Sequence, residues 1–101
     1  MQKWSVYLLK CSDETLYCGI TNNLQRRLAQ HNSGTASKYT RSRTPVELIS
    51  SVDVADKSTA LKLEIKVKKQ PRSQKIWFLE SQGKAKAGPD LEEELTTLQN
   101  L

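Results

Sequence analysis

Tyr17, Arg27 and His31 fall within one short stretch, LYCGITNNLQRRLAQH, from Leu16 to His31. Core packing alone does not call for a phenol, a guanidinium and an imidazole so close together. Between them they supply a permanently charged clamp for an anion and two groups able to hold or pass a proton. Taken singly, each has a plainer explanation. Arg27 can cover apolar surface with its stem, His31 can sit on a helix C-terminus, and Tyr17 can be an ordinary strand aromatic. Glu64, in TALKLEIKVKKQ, is the fourth residue of interest. Its helical phase sets it among apolar neighbours, where a carboxylate is costly unless a cation, a metal or hydrogen-bond donors meet it. An i,i+4 pair with Lys68 is the bland answer; a functional site is the other.

The elements that must position these residues follow from the pattern. Trp4 to Lys10 (WSVYLLK) and Leu16 to Thr21 (LYCGIT) are rich in β-formers and flank polar residues, which predicts a β-hairpin. Thr21 and Asn22 offer N-caps for a helix over Leu24 to Asn32, and Gly34 offers a stop. A polar loop, SGTASKYTRSRTP, leads to a third strand over Val46 to Val54. A helix opens at Asp56 and runs through TALKLEIKVKKQ, Pro71 closes it or starts the next, and RSQKIWFLESQ forms that next helix. KAKAGP reads as a linker to an amphipathic helix, LEEELTTLQNL. The order predicts an α+β fold in which helices pack on a three-stranded sheet. One domain over residues 1–83 and a linker with an acidic amphipathic tail over 84–101 are the expected divisions.

Phase and register set conditions for a shared site. At 100° per residue, Leu24 and Leu28 form the inward stripe of the first helix, with Arg27 and His31 on its border and Arg26 pointing away. On the later helix Leu61 and Ile65 are expected on one side of an apolar arc and Ala60 and Val67 on the other, with Glu64 between them. Tyr7 and Tyr17 share a sheet face only if the hairpin loop has an odd number of residues, as with Asp13-Glu14-Thr15. That register also places Cys11 and Cys18 on opposite faces.

At 101 residues the chain has room for one core. No apolar run approaches the ~18 residues a membrane span requires, and MQKWSVYLLK lacks the apolar core of a secretory signal. A soluble, cytoplasmic protein is expected. Two cysteines without CxxC spacing fit neither a disulfide scaffold nor a zinc site. All 16 lysines and arginines precede Ala87, against 7 of the 11 acidic residues, so the body is about +9 and the tail −4. A body so basic favours a polyanionic partner such as nucleic acid. In the loop, Lys38, Arg41 and Arg43 surround Tyr39, a combination suited to gripping phosphates and stacking on an exposed base. Lys68 belongs to a further basic run, Lys57 to Lys75, in which Glu64 is the only acid. Nothing in the sequence encodes a base-reading helix, so structure or strand state is expected to matter more than base sequence.

These residues resemble a GIY-YIG nuclease domain, and in particular its small stand-alone bacterial group. VYL at Val6 to Leu8 stands where the first tripeptide falls and YCG at Tyr17 to Gly19 where the second falls, and the likeness continues through NLQRRLAQH and Glu64. It takes in roughly residues 4 to 80. Val6 replaces the glycine of the first tripeptide and Cys18 the apolar residue of the second. Gln70 and Gln74 are the candidates for a late polar residue that many such domains carry.

The resemblance implies three antiparallel strands flanked by helices, and a catalytic site formed by Tyr7, Tyr17, Arg27, His31 and Glu64. It also implies cleavage of phosphodiesters, with DNA as the expected partner. Within such a site Glu64 would hold one Mg²⁺ or Mn²⁺ and Arg27 would clamp the phosphate. Tyr17 would take the proton from water, Tyr7 would orient it, and His31 would accept or relay it; Tyr17 and His31 remain alternatives as the base. Lys38, Tyr39, Arg41, Arg43 and Lys68 are the expected nucleic-acid contacts. A monomer is expected. Two other readings compete: a nucleic-acid-binding module that does not cut, and an interaction domain whose acidic tail covers the basic body.

Overall fold

The computed structural model describes residues 3–87. Three strands and four helices follow in the order β1 (Trp4–Lys10), β2 (Leu16–Thr21), α1 (Leu24–Asn32), α2 (Lys38–Arg41), β3 (Glu47–Val54), α3 (Lys57–Lys68) and α4 (Arg72–Ala87). The sheet has the order β2-β1-β3 and both pairings are antiparallel, as expected for the α+β reading. Among the described residues no helix is long and apolar enough to cross a membrane.

The hairpin between β1 and β2 sets the register. The Cys11 N–H donates to the Thr15 carbonyl and the Glu14 N–H to the Cys11 carbonyl, each at 2.9 Å. The loop is therefore Ser12-Asp13-Glu14, one residue earlier than expected but still odd in length. Glu14 closes it in the left-handed region at φ 70°, the usual geometry of three-residue hairpins. Tyr7 faces Gly19 and Leu9 faces Tyr17, so the two tyrosines share a face. Cys11 and Cys18 belong to different cores and both are free thiols.

Each sheet face carries its own core. Val6, Leu8, Cys18, Val52 and Val54 pack under Ala60, Leu63 and Val67 of α3 and Leu79 of α4. On the other face Tyr7, Leu9, Cys11 and Val46 pack with Tyr17, Leu48 and the α1 residues Leu24 and Leu28. Helix α1 is capped by Asn23, whose side chain accepts the Arg26 N–H at 3.1 Å, rather than by Thr21 or Asn22. Thr21 serves one step earlier: its hydroxyl oxygen accepts the Asn23 N–H at 3.0 Å. At the other end of α1, the Asn32 amide accepts the Val46 N–H at 2.7 Å and donates to the Val46 carbonyl at 3.2 Å, fastening the helix to the approach of β3.

Several expectations are corrected. The polar loop contains a short helix, α2, capped by Ser37, whose hydroxyl oxygen accepts the Tyr39 and Thr40 N–H groups. Residues Lys84 to Ala87, read as the start of a linker, instead end α4. The expected acidic tail helix lies outside the described residues. On α3, Leu61 and Ile65 are 42% and 53% exposed. The buried arc is Ala60, Leu63 and Val67, which moves Glu64 from the centre of the apolar face to its border.

Helix α4 lies against β3 so closely that a Cβ at Gly83 would stand 2.7 Å from the Val52 Cγ1. Helix propensity alone favours alanine over glycine by about 1 kcal/mol. Overpacking against a β-branched strand residue costs ~1–3 kcal/mol. Gly83→Ala is therefore expected to lower the denaturant midpoint; an unchanged or raised midpoint would show that α4 can ride up from the sheet at no cost.

Candidate active site

The site is built outward from Gly19. The Tyr7 ring crosses the bare Cα of Gly19, where a Cβ would stand 2.5 Å from the Tyr7 Oη and 3.2 Å from the Tyr17 ring. Because glycine leaves that space open, the Tyr7 hydroxyl reaches His31 on α1, with Oη and Nε2 2.9 Å apart. On the far side of the imidazole, Nδ1 lies 2.7 Å from the Thr40 hydroxyl of α2. His31 and Thr40 are fully buried, and Tyr7 nearly so. Three elements thus meet in one hydrogen-bonded chain.

Tyr17 packs beside this chain. Its ring lies edge-on to His31 with centroids 5.1 Å apart, and it stacks on Tyr39 at 5.8 Å with 25° between the planes. Arg43 covers the other ring, its guanidinium carbon 4.1 Å from the Tyr39 centroid. Tyr17 and Tyr39 also line an open groove of about 260 Å³ together with Leu16, Cys18, Lys68 and Lys75.

The electrostatics join Arg27 and Glu64 to the same place. Burial pushes the Tyr7 phenol far above its ordinary value, with neighbouring Tyr17, Cys18 and Glu64 adding to the rise and Arg27 opposing it. Tyr7 is therefore a neutral hydrogen-bonding group across the physiological range. Burial first, and then the positive charge of Arg27, lower the His31 pKa, so its imidazole is neutral. Burial and the nearby Glu64 carboxylate push the Cys18 thiol up to about 12.

Glu64 has 17% of its side chain exposed and pairs with Lys68 at 3.1 Å. Burial alone would lower the Lys68 pKa, but the bond and charge of Glu64 outweigh it and hold the ammonium above its ordinary value. Glu64 thus has the i,i+4 partner, and its charge also acts on the Tyr7 phenol. No group of three His, Cys, Asp or Glu side chains among the described residues is arranged for a metal. A single partly buried carboxylate that already binds a cationic group is a donor set for an ion that keeps most of its waters, as Mg²⁺ and Mn²⁺ do. It does not meet the needs of tetrahedral zinc.

The expected nucleic-acid contacts divide into two groups. Lys38, Tyr39 and Arg41 of α2 are exposed. Arg43 is largely committed, donating from Nε to Asp13 at 2.9 Å and from Nη1 to the Tyr39 carbonyl at 2.8 Å. Gln70 donates to the Lys66 carbonyl at 3.3 Å, and Gln74 is exposed. The sequence reading missed Thr40 and Lys75. Lys75 donates to the carbonyls of Val67, Lys68 and Gln70 at 3.2, 3.0 and 2.7 Å, which closes the C-terminus of α3 beneath the groove. For Thr40 the available signal was Ser37, an N-cap residue three positions earlier.

Tyr7 thus crosses a bare glycine and bonds a helix histidine, with the Tyr17 ring beside both and Arg27 and Glu64 acting on the Tyr7 phenol. Residues 3–76 match the GIY-YIG catalytic domain, and the chain belongs to the GIY-YIG family. It is 45% identical over 80 residues to a UPF0213 protein of Nitratidesulfovibrio vulgaris, covering 79% of this chain and 73% of that one. A UPF0213 protein of Lactiplantibacillus plantarum is 51% identical over 81 residues, 78% of this chain and 80% of that one. Two solution NMR structures are similar. A protein from E. faecalis is 38% identical with a TM-score of 0.57, and a UPF0213 protein from Bacillus halodurans is 34% identical with a TM-score of 0.50; each match covers 80% of this chain and 86% of the other.

The chain has a single histidine, and it is held neutral. The unfolded chain takes up a proton as pH falls through the ordinary value of 6.5, whereas the folded chain resists until the lower folded value. Stability should therefore decline as pH drops below about 6.5 and level off once the folded pKa is passed. Urea unfolding between about pH 8 and pH 5 checks this, with His31→Gln expected to lack the decline; a wild-type curve flat across that window would contradict the buried neutral imidazole.

Proposed function

We propose that this chain is a divalent-metal-dependent endonuclease acting on DNA, selecting its substrate by structure or strand state rather than by base sequence. The observation that carries the reading is the convergence on Tyr7: its hydroxyl bonds His31, its ring lies beside Tyr17, and Arg27 and Glu64 both act on its ionisation. Family membership supports the nuclease class.

Each residue has a role that its surroundings support. Arg27 clamps the scissile phosphate and offsets the charge that builds in the transition state. Tyr17 lines the open groove rather than being sealed in, and takes the proton from the attacking water. Tyr7 stays protonated and orients that water or the phosphate. Glu64 would hold one Mg²⁺ or Mn²⁺, which would supply a Lewis acid for the phosphate and favour ionisation of water. Lys68, which pairs with that carboxylate at 3.1 Å, would offer its ammonium to a phosphate. Lys38, Tyr39 and Arg41 on α2 hold the flanking strand, with Tyr39 offering a face for stacking.

A second reading, a nucleic-acid-binding module that does not cut, is favoured by the Glu64–Lys68 ion pair, because that pair gives the carboxylate a structural partner. Labelled single-stranded, duplex and branched DNA with Mg²⁺ or Mn²⁺ separates the two. Glu64→Gln and Arg27→Ala are each expected to lower cleavage by ~10²-fold or more, the scale of removing one preorganised charge partner, while binding without metal survives Glu64→Gln. Cleavage indifferent to both substitutions would defeat the nuclease reading, and salt-sensitive binding with no cleavage of any substrate would install the second.

A further inference from the structure

The groove beside Tyr17 has two lysines in its lining, yet only one of them brings charge to it. Leu16, Tyr17, Cys18, Tyr39, Lys68 and Lys75 enclose its volume of about 260 Å³. An ammonium has three protons to donate. Lys75 directs its ammonium to three carbonyls, those of Val67, Lys68 and Gln70, so what it lends the groove is its methylene stem. Lys68 makes one contact, with Glu64 at 3.1 Å, and 56% of its side chain stays in solvent. The remaining lining is a leucine side chain, a thiol and two aromatic rings.

The aromatic side of the groove is fixed before anything binds. Tyr17 and Tyr39 stack with centroids 5.8 Å apart and 25° between their planes. Arg43 holds the Tyr39 ring, its guanidinium carbon 4.1 Å from the centroid, while its Nε donates to Asp13 of the hairpin loop at 2.9 Å. A bare phosphate in this groove would exchange its hydration for apolar surface and a single cation, a poor trade. A planar group with apolar faces, tethered to an anion, matches the walls and the charge together.

We propose that the groove takes one unpaired nucleobase, with Lys68 holding a phosphate of the same nucleotide. This rests on the nucleic-acid reading above and makes its strand-state preference specific. A base inside a duplex has both faces covered by its neighbours, so only an unpaired or extruded one can enter. Tyr17 lines the groove and also packs against Tyr7 and His31. The captured nucleotide therefore stands beside the phosphate to be cut. Lys38 and Arg41, exposed on the helix that carries Tyr39, lie where the continuing strand would need cations.

The test is binding of the full-length protein in EDTA, where cleavage plays no part, to three labelled DNAs of equal length. They are a fully paired duplex, the same duplex with a single bulged thymidine, and that duplex with an abasic residue as the bulge. The thymidine bulge is expected to bind ~10-fold more tightly than the other two, the scale of stacking one base on aromatic side chains. The Leu16 methyl resonances should shift with the thymidine bulge and stay in place with the abasic one. Leu16→Trp fills the groove and should erase the advantage of the base, and Lys68→Gln should weaken the bulged duplex more than the paired one. Equal affinity of the wild type for the thymidine and abasic bulges overturns the base site, even if neither variant folds, and so does a gain that leaves Leu16 unshifted. A Lys68→Gln variant that loses nothing on the bulged duplex overturns the part given to Lys68. Base-dependent binding with no cleavage of any DNA once Mg²⁺ or Mn²⁺ is supplied removes the nuclease reading and leaves the base site standing; cleavage without base-dependent binding does the reverse.

Discussion

The hydrogen bond from one sheet face to helix α1, between Tyr7 and His31, is the contact on which the remaining site geometry depends. It exists because β2 presents a glycine where β1 presents a tyrosine, so that the phenol can lie flat across the strand instead of standing off it. Any side chain at position 19 would collide with the Tyr7 hydroxyl. The bond also settles how α1 is rotated: His31 is its buried residue, with Leu24 and Leu28 packing beside Tyr7 and Leu9. Once the helix is so turned, Arg27, one turn before His31, comes to the border of the same face.

Burial then divides the labour between groups that look interchangeable on paper. Tyr7 and Tyr17 are both phenols on one face of the sheet. Tyr7 is enclosed and its charged form is penalised, whereas Tyr17 borders an open groove with Lys68 beside it. The cations divide similarly. Lys75 uses its ammonium to satisfy three carbonyls at the end of α3, and Arg43 ties Asp13 of the hairpin loop to α2 while covering Tyr39. Those two charges hold the walls of the groove. Among the described residues Lys38 and Arg41 of α2 enter no ion pair and are exposed.

The strands were legible because they depend on local rules, β-formers in alternation, whereas the hairpin loop lies one residue earlier than expected and His31, expected on the border of the α1 stripe, is that helix's buried residue. The rest was lost for identifiable reasons. Helix α2 is four residues long and polar, so it has no apolar stripe to betray it, and its single inward residue, Thr40, is polar itself. On α3 the apolar residues cover more than half the circumference, and periodicity cannot say which part meets the sheet. Leu61 and Ile65 extended the apparent arc past Glu64, making a border residue look central. At that border Glu64 is partly buried and pairs with Lys68. The end of α4 was misread because Gly83 and the lysines after it resemble a linker, although Gly83 serves close packing on Val52.

The Glu64–Lys68 pair shows how a partly buried carboxylate is accommodated on the border of α3. A partly buried carboxylate facing a phenol and a thiol, with no cation, would pay a desolvation cost and raise the pKa of each neighbour further. Lys68 supplies the missing charge from the same helix, one turn away, where the pair forms with little loss of side-chain freedom. The ammonium keeps more than half of its side-chain surface in solvent, so leaving the carboxylate costs it little. The folded chain is thereby charge-balanced at Glu64.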